Sequence, residues 1–245
     1  QGVSSAASDV YKRQVLYWQS HLIDLPVLAL PTDRLHPAIQ SYNTSNQTFS
    51  LPLNLTEKLH IISIQHETTL FMTVLAIFQT LLHRYSHQDD IVIGTPVEQN
   101  FLVLRTDLSG NCRFTELLAQ VKEITLKAYE HQDVAFDTLV NVLNIASDTS
   151  RHPIFQVLFA LQSLENTSSI STSAFDLSLE CSETPQGLIG RVTYATDLFN
   201  ASTIERLIEH FKTLTQGIIE NTTARLSELP LVTEKERHQL LVEWN

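Results

Sequence analysis

Two hydrophobic periods alternate along this sequence, and together they constrain its fold more than any other feature. Between Thr69 and Ser86 the apolar residues recur at the three- and four-residue spacing of a helix face. The segment from Phe175 to Leu179 instead alternates between apolar and polar side chains, as a half-buried strand does. A chain that repeats both patterns must bury helices and strands against one another. The sequence therefore predicts an α/β fold in which a mixed sheet is layered with helices.

The other segments extend this pattern along the chain. Residues 1–14 are small, polar and aperiodic, and we exclude them from the fold prediction as a non-native or disordered tail. Thr56, Thr69 and Ser202 are the predicted N-caps of three helices. The predicted elements are helices at 15–22, 56–65, 69–86, 114–131, 136–143, 202–220 and from 233, strands at 91–94, 101–108, 155–162, 175–179 and 188–194, an extended connector at 25–37 and a loop at 163–173.

The composition excludes several classes of function. The formal net charge is −11 and no basic run is present, which argues against nucleic acid as a partner because phosphate binding needs clustered Lys and Arg. No apolar stretch reaches the length of about 18 residues that a membrane span needs. Without a secretory signal we expect a cytoplasmic protein. Cys112 and Cys181 are then expected to be reduced thiols and not a disulfide.

A search for catalytic motifs finds little. The sequence contains no P-loop, dinucleotide fingerprint, zinc-protease motif or nucleophile elbow, and no Cys/His spacing that suits zinc. Its ten histidines are scattered, and no two of them are adjacent. We therefore assign no catalytic, cofactor-binding or metal-binding residue from these patterns. By composition and spacing alone the chain is an α/β domain without an assigned role.

Two short polar segments leave alternatives open. His131 and Asp133 flank a predicted helix boundary, where they could form a proton-transfer pair. The favoured alternative is that Asp133 caps the next helix and His131 interacts with the dipole of the preceding one. Asp148 and Arg151 could clamp a substrate, although an ion pair that holds the loop before the next strand is favoured. We expect a structural role for both segments.

Several motifs, in order and at matching spacing, resemble the condensation domains of nonribosomal peptide synthetases. The segment 131–137 is similar to the family's HQD-x-P-F-E motif, with Ala135 for Pro and Asp137 for Glu. The segment 148–155 is similar to R-D-x-S-x-x-P-L/I-F, with Ser147 in place of the leading Arg. The segments 16–19, 28–34, 69–73, 78–86, 88–96, 194–199 and 229–245 also fit the family. The resemblance implies structural motif residues at His131, Gln132, Asp133, Phe136, Asp148, Arg151, Pro153, Arg105 and Asp197.

Two departures from the family pattern bear on the expected chemistry. The family's HHxxxDG motif, whose second histidine is usually assigned a catalytic or transition-state-positioning role, has no counterpart here. The family also has a longer segment with a G-x-F-V-N-T motif before the Leu-Val-Leu-Arg strand. Here the residues 95–100 run almost directly into 101–105. We expect that a loop and part of a strand are missing, which would leave a strand edge uncovered.

The resemblance implies the C-terminal lobe of a two-lobed fold like that of chloramphenicol acetyltransferase. This lobe would occupy residues 15–228, and residues 229–245 would be a linker towards an adenylation domain. The family's reaction forms an amide between acyl and aminoacyl thioesters carried on phosphopantetheine arms, so we expect no directly bound cofactor or metal. Expected partners are the N-terminal lobe, the upstream and downstream carrier proteins and the adenylation domain. Since one lobe forms half of the tunnel that positions both reactants, we expect no activity from these residues alone.

The resemblance leaves other function classes open. Epimerisation and heterocyclisation domains share the fold, and a degenerate lobe could be retained for carrier docking only. The linker-like segment 229–245 argues against epimerisation, because those domains usually follow the carrier protein. An HHxxxDG motif in sequence upstream of Val15 would favour condensation or epimerisation. A D-x-x-x-x-D pattern there would indicate cyclisation, and a scrambled motif would indicate docking alone.

Overall fold

The computed structural model describes residues 2–162 and 171–243. Most of the predicted loop at 163–173 therefore lies outside the described residues. The helices are α1 (Gly2–His21), α2 (Leu53–Gln65), α3 (Leu70–Ser86), α4 (Phe114–Glu130), α5 (Phe136–Val142), α6 (Ala201–Glu220) and α7 (Glu234–Glu243). The strands are β1 (Thr44–Pro52), β2 (Asp90–Val97), β3 (Asn100–Asp107), β4 (Val157–Gln162), β5 (Leu177–Thr184) and β6 (Gly187–Ala195).

A six-stranded mixed sheet organises the described residues, in the order β1-β6-β5-β4-β2-β3. β1, β6 and β5 pair antiparallel, whereas β4 pairs in parallel with both β5 and β2. β3 completes the sheet as the antiparallel partner of β2. The crossover from β3 to β4 passes through α4 and α5. The predicted α/β fold, with a mixed sheet layered with helices, is confirmed.

Helices α3 and α6 cover one face of the sheet because each has a continuous apolar stripe. Phe78 of α3 meets Phe159 of β4, with ring centroids 6.0 Å apart. Phe211 of α6 meets Phe49 of β1 at 5.6 Å. α3 is buried at every position from Met72 to Leu82, so it is the central helix of the core. Burial of a side chain of this size contributes about 1.5–3 kcal/mol, and this apolar layer is therefore the main source of stability.

The helix at the start of the chain is longer than predicted. α1 begins at Gly2, so the expectation of a non-helical tail up to Gln14 is wrong for the secondary structure of these residues. Residues 5–13 are exposed, which explains why they have no apolar period. Their Ala and Ser content is nevertheless compatible with a helix. Apolar burial begins only at Trp18 and Leu22, within the segment that the sequence did predict.

Two of the predicted N-caps can be compared with the structure of α2 and α3. Thr69 caps α3 as predicted, since its hydroxyl accepts a hydrogen bond from the Met72 backbone N–H at 3.2 Å. Thr56 does not cap α2, which begins directly after Pro52. Its hydroxyl lies inside the helix, donates to the Pro52 carbonyl at 3.2 Å and accepts from the Leu188 N–H at 3.1 Å. Thr56 therefore ties α2 to β6.

The third predicted cap, Ser202, is also wrong, because α6 begins one residue before it. The cap comes from a distant residue, Asp33. Its carboxylate accepts hydrogen bonds from the Asn200 N–H at 2.7 Å and from the Thr203 hydroxyl at 2.9 Å. These bonds lower the pKa of Asp33. The connector before β1 is thus fastened to the first turn of α6.

Strand β1 was not predicted, and two other strands begin later than predicted. β1 is largely polar and exposed, so it lacks the apolar alternation that marks a strand in sequence. β4 begins at Val157 instead of Phe155, and β5 at Leu177 instead of Phe175. Both phenylalanines belong to a cluster of rings next to the sheet. Their apolar character therefore reflects burial and not strand structure.

The shortened connection before Phe101 closes a regular hairpin. Every residue of β2 from Asp90 to Val97 has a partner in β3. Glu98 and Gln99 form the turn, and Glu98 has a φ of 53°, in the left-handed region. The pairing of these two strands is therefore complete over eight residues each, despite the short connection.

Two expectations from composition can also be compared with the structure. Cys112 and Cys181 are free, and Cys181 is buried, as predicted for reduced thiols. Among the described helices, no single one is long and apolar enough to cross a membrane. α2 and α3 reach that length and composition only when taken together, and they meet at a bend of 104°.

Candidate functional site

The two motif segments singled out in the sequence meet in one group of aromatic rings. Phe136, from the first segment, stacks on His152, from the second, with centroids 5.3 Å apart. Phe155 and Phe175 stack at 5.4 Å, and Phe101 of β3 contacts both at 5.8 and 5.7 Å. We call Phe101, Phe136, His152, Phe155 and Phe175 the aromatic cluster. The motif spacing thus brings α5 and the loop before β4 into one packed unit.

His152 is the member of the cluster that the sequence analysis did not single out. Its Nδ1 lies 3.0 Å from the Phe155 carbonyl, and a carbonyl can only accept, so Nδ1 carries the proton. Burial lowers the pKa of His152, which favours the neutral ring. The signal available in the sequence was its position between Arg151 and Pro153 of the second motif.

Pro153 shapes the turn that leads into β4. The Phe155 N–H donates to the Pro153 carbonyl at 2.9 Å. Ile154, between them, has a φ of 70°, which is unfavourable for a β-branched residue. Ile154 and Phe155 are both buried, and their packing holds the strained turn in place. Pro153 therefore lies in the wall of the aromatic cluster, as a motif residue with a local structural role.

Asp148 and Arg151 form the ion pair that the sequence predicted, with Arg151 Nε 3.1 Å from the carboxylate. Asp148 also accepts hydrogen bonds from the Ser150 N–H at 2.9 Å and the Ser150 hydroxyl at 2.5 Å. These hydrogen bonds, with the nearby Arg151 charge, lower the pKa of Asp148. The geometry is that of a self-contained turn that holds the loop before β4.

A second acid next to this loop was missed by the sequence analysis. His36 Nε2 lies 2.8 Å from the Asp176 carboxylate. Burial raises the pKa of Asp176, and His36 and Arg151 partly oppose that effect. His36 and Asp176 are 140 residues apart in the chain, so no local pattern could have indicated the pair. The contact ties the connector before β1 to the start of β5.

His131 is held by three contacts in which its reactive nitrogens are not exposed as a pair. Its Nδ1 donates to the Lys127 carbonyl at 2.7 Å, since that carbonyl can only accept. Its ring stacks on Tyr17 of α1, with centroids 3.8 Å apart and an interplanar angle of 12°. Its backbone carbonyl accepts from the Trp18 indole N–H at 2.9 Å. His131 therefore joins the end of α4 to α1.

The predicted cap at Asp133 is wrong. The Phe136 N–H, at the start of α5, donates instead to Asn100 Oδ1 at 2.9 Å. Asn100 also donates to the Gln132 carbonyl at 3.4 Å, so one side chain of β3 organises this whole loop. The Asp133 carboxylate accepts from Gln14 of α1 at 3.1 Å. A cap supplied by a residue 36 positions away has no signature in the local sequence.

Arg105 and Asp197 both fasten distant segments. Arg105 binds Asp90 through two nitrogens, at 3.0 and 2.8 Å. It also donates to the carbonyls of His21 at 3.1 Å and Ile23 at 2.6 Å, at the end of α1. The Asp197 carboxylate accepts from the Ser41 N–H at 3.2 Å. Neither side chain is directed at a reactive group.

A polar groove of about 420 Å³ lies next to the first motif, at the turn between β2 and β3. The described residues that line it are Val97, Glu98, Gln99, Asn100, Gln132, Asp133 and Ala135. This lining contains amides and carboxylates but neither a histidine nor a nucleophile. Within residues 2–162 and 171–243, no group of three or more His, Cys, Asp and Glu side chains could hold a metal ion. The motif region is therefore suited to positioning and not to proton transfer.

The family model for the condensation domain matches residues 3–241. The chain belongs to the condensation domain family. One of the linear gramicidin synthase proteins of Brevibacillus parabrevis is 42% identical over 97% of this chain. Gramicidin S synthase 2 of Brevibacillus brevis is 36% identical, and a plipastatin synthase protein of Bacillus subtilis (strain 168) is 33% identical, each over 97% of this chain. The expected resemblance to nonribosomal peptide synthetase condensation domains is confirmed.

Solved condensation-domain structures have the same fold. The X-domain in complex with OxyB from teicoplanin biosynthesis superposes with a TM-score of 0.86 at 25% identity, over 92% of this chain and 56% of that one. Holo-AB3403, a four-domain nonribosomal peptide synthetase bound to AMP and glycine, also gives 0.86, at 22% identity over 91% of this chain and 20% of that one. The chloramphenicol-acetyltransferase-like lobe predicted from the resemblance is therefore confirmed as the fold.

The condensation lobe described here spans a small part of its relatives. It covers 3% of the linear gramicidin synthase protein, 6% of gramicidin S synthase 2 and 10% of the plipastatin synthase protein. The alignment with the linear gramicidin synthase protein runs over 267 positions, whereas this chain has 245 residues, so positions of the relative lack a counterpart here. That difference is consistent with the short connection between β2 and β3.

Proposed function

We propose that this lobe is part of a condensation domain that forms amide bonds in nonribosomal peptide synthesis. The observation that carries the proposal is the match over 97% of the chain to synthases of gramicidin and plipastatin. In this reaction the amine of one carrier-bound aminoacyl thioester attacks the carbonyl of an upstream acyl thioester. The C–N bond forms, the C–S bond breaks, and the upstream thiol is released. The amine loses one proton in this step, and the released thiolate gains one.

The proposal assigns a positioning role to this lobe. The motif residues described above hold helices and loops in place, and none of them presents a free base to a groove. Fixing two tethered reactants in the right geometry accounts for about 7–11 kcal/mol of barrier reduction in favourable cases. The proposed partners are a second, N-terminal lobe, an upstream and a downstream carrier protein bearing phosphopantetheine arms, and an adenylation domain after residue 229. A cytoplasmic location is part of the same proposal.

The proposal is tested with the 245-residue polypeptide and with a two-lobed chimera. The chimera joins the N-terminal lobe of the matching condensation domain of the linear gramicidin synthase protein to this lobe at Val15. Both proteins are mixed with two loaded carrier proteins, and the dipeptidyl thioester is quantified by mass spectrometry. We expect product from the chimera and none above the protein-free control from the polypeptide alone, because the sequence contains no HHxxxDG motif.

Two control variants separate catalysis from folding in this assay. In the first, the second histidine of HHxxxDG in the added lobe is replaced by alanine, which should abolish product without lowering the melting temperature. In the second, the Glu98–Gln99 turn is replaced by the longer segment of the relative, which should raise turnover if that segment lines the tunnel. Product from the polypeptide alone would overturn the proposed division of labour between lobes. A folded chimera that forms no product with either turn would overturn the proposed function.

A non-catalytic docking lobe is the second candidate, and one observation favours it. The X-domain, which superposes on this chain with a TM-score of 0.86, is described in complex with OxyB. A condensation-type lobe can therefore serve as a binding surface for another protein. This function would be supported if the chimera bound loaded carriers in a pull-down but formed no dipeptide with either turn.

A further inference from the structure

Three motif-region contacts that the proposed chemistry does not use converge on one helix, α1. The His131 ring stacks on Tyr17 at 3.8 Å, and its carbonyl accepts from the Trp18 indole at 2.9 Å. Arg105 donates to the carbonyls of His21 and Ile23, at the other end of the same two turns. We call Tyr17, Trp18, Arg105 and His131 the α1 clamp. Its parts come from the end of α4, from β3 and from α1 itself.

The clamp fixes the direction of α1 as well as its attachment. Trp18 is 1% exposed and fills the space between α1 and the lobe, which holds the helix at a set distance. The stacked rings limit rotation about the helix axis, because His21 also stacks on Tyr17, at 5.4 Å. The planar guanidinium of Arg105 binds Asp90 with two nitrogens while it binds the helix end, so its position is itself fixed. Distance, rotation and end position are then all determined.

The clamp acts where the helix leaves the lobe. Residues 5–13 of α1 are exposed and precede the first buried turn, so they extend away from the point at which the clamp holds the helix. An α-helix is stiff over this length, and a small tilt at the clamp therefore becomes a larger displacement at the start of the helix. The direction of anything attached there depends on these four side chains.

We propose that the α1 clamp is a positioning device that sets the orientation of the preceding lobe relative to this one, with Arg105 and His131 as its positioning residues. This inference rests on the proposed function, because it assumes a second lobe joined through α1. It gives the HQD motif and Arg105 a role in turnover without contact with the reacting atoms. Misplacement by about 1 Å is enough to cost up to 100-fold in rate, so small changes in the clamp should be visible in kcat.

The first test measures the direction of α1 in the 245-residue chain. Spin labels are placed at Val10→Cys on α1 and at Lys58→Cys on α2, in a Cys112→Ser background, and the distance distribution is measured by electron–electron resonance. We expect one narrow distribution for the parent chain and broad ones for Arg105→Lys and His131→Ala. His131→Phe keeps a ring for Tyr17 and should restore most of the narrow distribution. His60→Ala, which removes a helix-to-strand contact with Glu183 far from α1, is the matched control and should change nothing.

The second test measures turnover in the two-lobed chimera. We expect Arg105→Lys and His131→Ala to lower kcat by about tenfold or more while KM for the loaded carriers is unchanged. The melting temperature of each variant shows whether the lobe is still folded. A chimera that is inactive before any substitution contradicts the proposed function, and the distance measurement then decides the clamp by itself. Narrow distributions in both variants, or an active chimera whose kcat neither variant lowers, would overturn the clamp.

Discussion

The first and last helices of the lobe are held in different ways. α1 buries Trp18 and Leu22 to 1% and 2% exposure and is gripped by stacked rings and a bidentate arginine. α7, from Glu234 to Glu243, has no buried residue, and a groove of about 590 Å³ separates much of it from α6. Apolar packing determines both place and direction, whereas a polar contact determines place only. The lobe therefore specifies the direction of α1 more tightly than that of α7.

The polar contact at α7 is a chain of three side chains. His210 Nε2 lies 2.9 Å from the Glu236 carboxylate, and Nδ1 lies 2.5 Å from the Tyr85 hydroxyl. An ionised carboxylate only accepts, so Nε2 carries a proton, and in the neutral ring Nδ1 accepts from Tyr85. Burial raises the pKa of Tyr85, which keeps the phenol protonated as a donor. Each polar group has a partner, so the chain is stable without apolar packing around α7.

The largest expected effect comes from removing the apolar part of the α1 contact. Trp18→Ala should lower the free energy of unfolding by about 3–5 kcal/mol, because it removes a buried ring and leaves a cavity. Urea denaturation measures this change. Leu16→Ala, on the same helix at a residue that is 62% exposed, is the control and should stay within about 0.5 kcal/mol of the parent. Similar losses in both variants would mean that α1 is not held by Trp18.

The sequence predicted those parts of the fold whose signal is local. α3 was found because its apolar spacing and its Thr69 cap lie within one segment of the chain. The Asp148–Arg151 pair was found for the same reason, since its members are three residues apart. β1 was missed because a polar strand at the edge of a sheet has no apolar alternation to detect. Local physics is therefore readable where one segment both forms and stabilises its own structure.

The candidate site was less predictable, because its contacts join segments that are far apart in the chain. The cap of α5 comes from Asn100 instead of Asp133, and the cap of α6 from Asp33 instead of Ser202. The contact of Trp18 with the His131 carbonyl spans 113 residues. The family motifs indicated which segments matter, but a motif does not state which side chain its members touch. Those partners became visible only when the sheet brought the segments together.

A smaller effect is expected at the cap of α5, the helix against which α1 packs. Asn100→Ala should destabilise the lobe by about 0.5–2 kcal/mol, because the Phe136 N–H loses its acceptor. Asp133→Ala, the matched control in the same loop, should change stability by less than about 0.5 kcal/mol since its side chain is exposed. Amide hydrogen exchange in α5 should increase only in Asn100→Ala. The reverse order of effects would restore Asp133 as the cap.

The aromatic cluster beneath α5 should make stability depend on pH. Burial lowers the pKa of His152 in the folded state, so an unfolded chain binds a proton more readily. The stability contributed by neutral His152 is complete above the unfolded pKa of about 6.5 and is lost as pH falls through the lower folded pKa. Unfolding free energies across about pH 5 to 7.5 should therefore decrease towards acid.

The matched substitution for this pH dependence is His152→Asn, which keeps a donor for the Phe155 carbonyl but does not titrate. It should flatten the slope by at most about 1.4 kcal/mol per pH unit. Part of the slope should remain, because burial and Arg105 also lower the pKa of His21. A slope that is unchanged in His152→Asn but abolished in His21→Gln would assign the effect to the α1 contact instead.

The smallest effect on global stability is expected at α7, and it is the sharpest test of the comparison between the two helices. Glu236→Ala removes the acceptor of His210, in a side chain that is 30% exposed. An ion pair of that exposure contributes about 1 kcal/mol or less, and α7 buries no residue whose release would add to it. Glu243→Ala, which lines the same groove and makes the same change in helix propensity, is the control. In Glu236→Ala, amide exchange should increase along α7 alone, while exchange in α1 and the urea midpoint stay at the parent values. If Glu236→Ala instead lowered the midpoint as strongly as Trp18→Ala, α7 would be an integral part of the core, and polar anchoring could not explain its position.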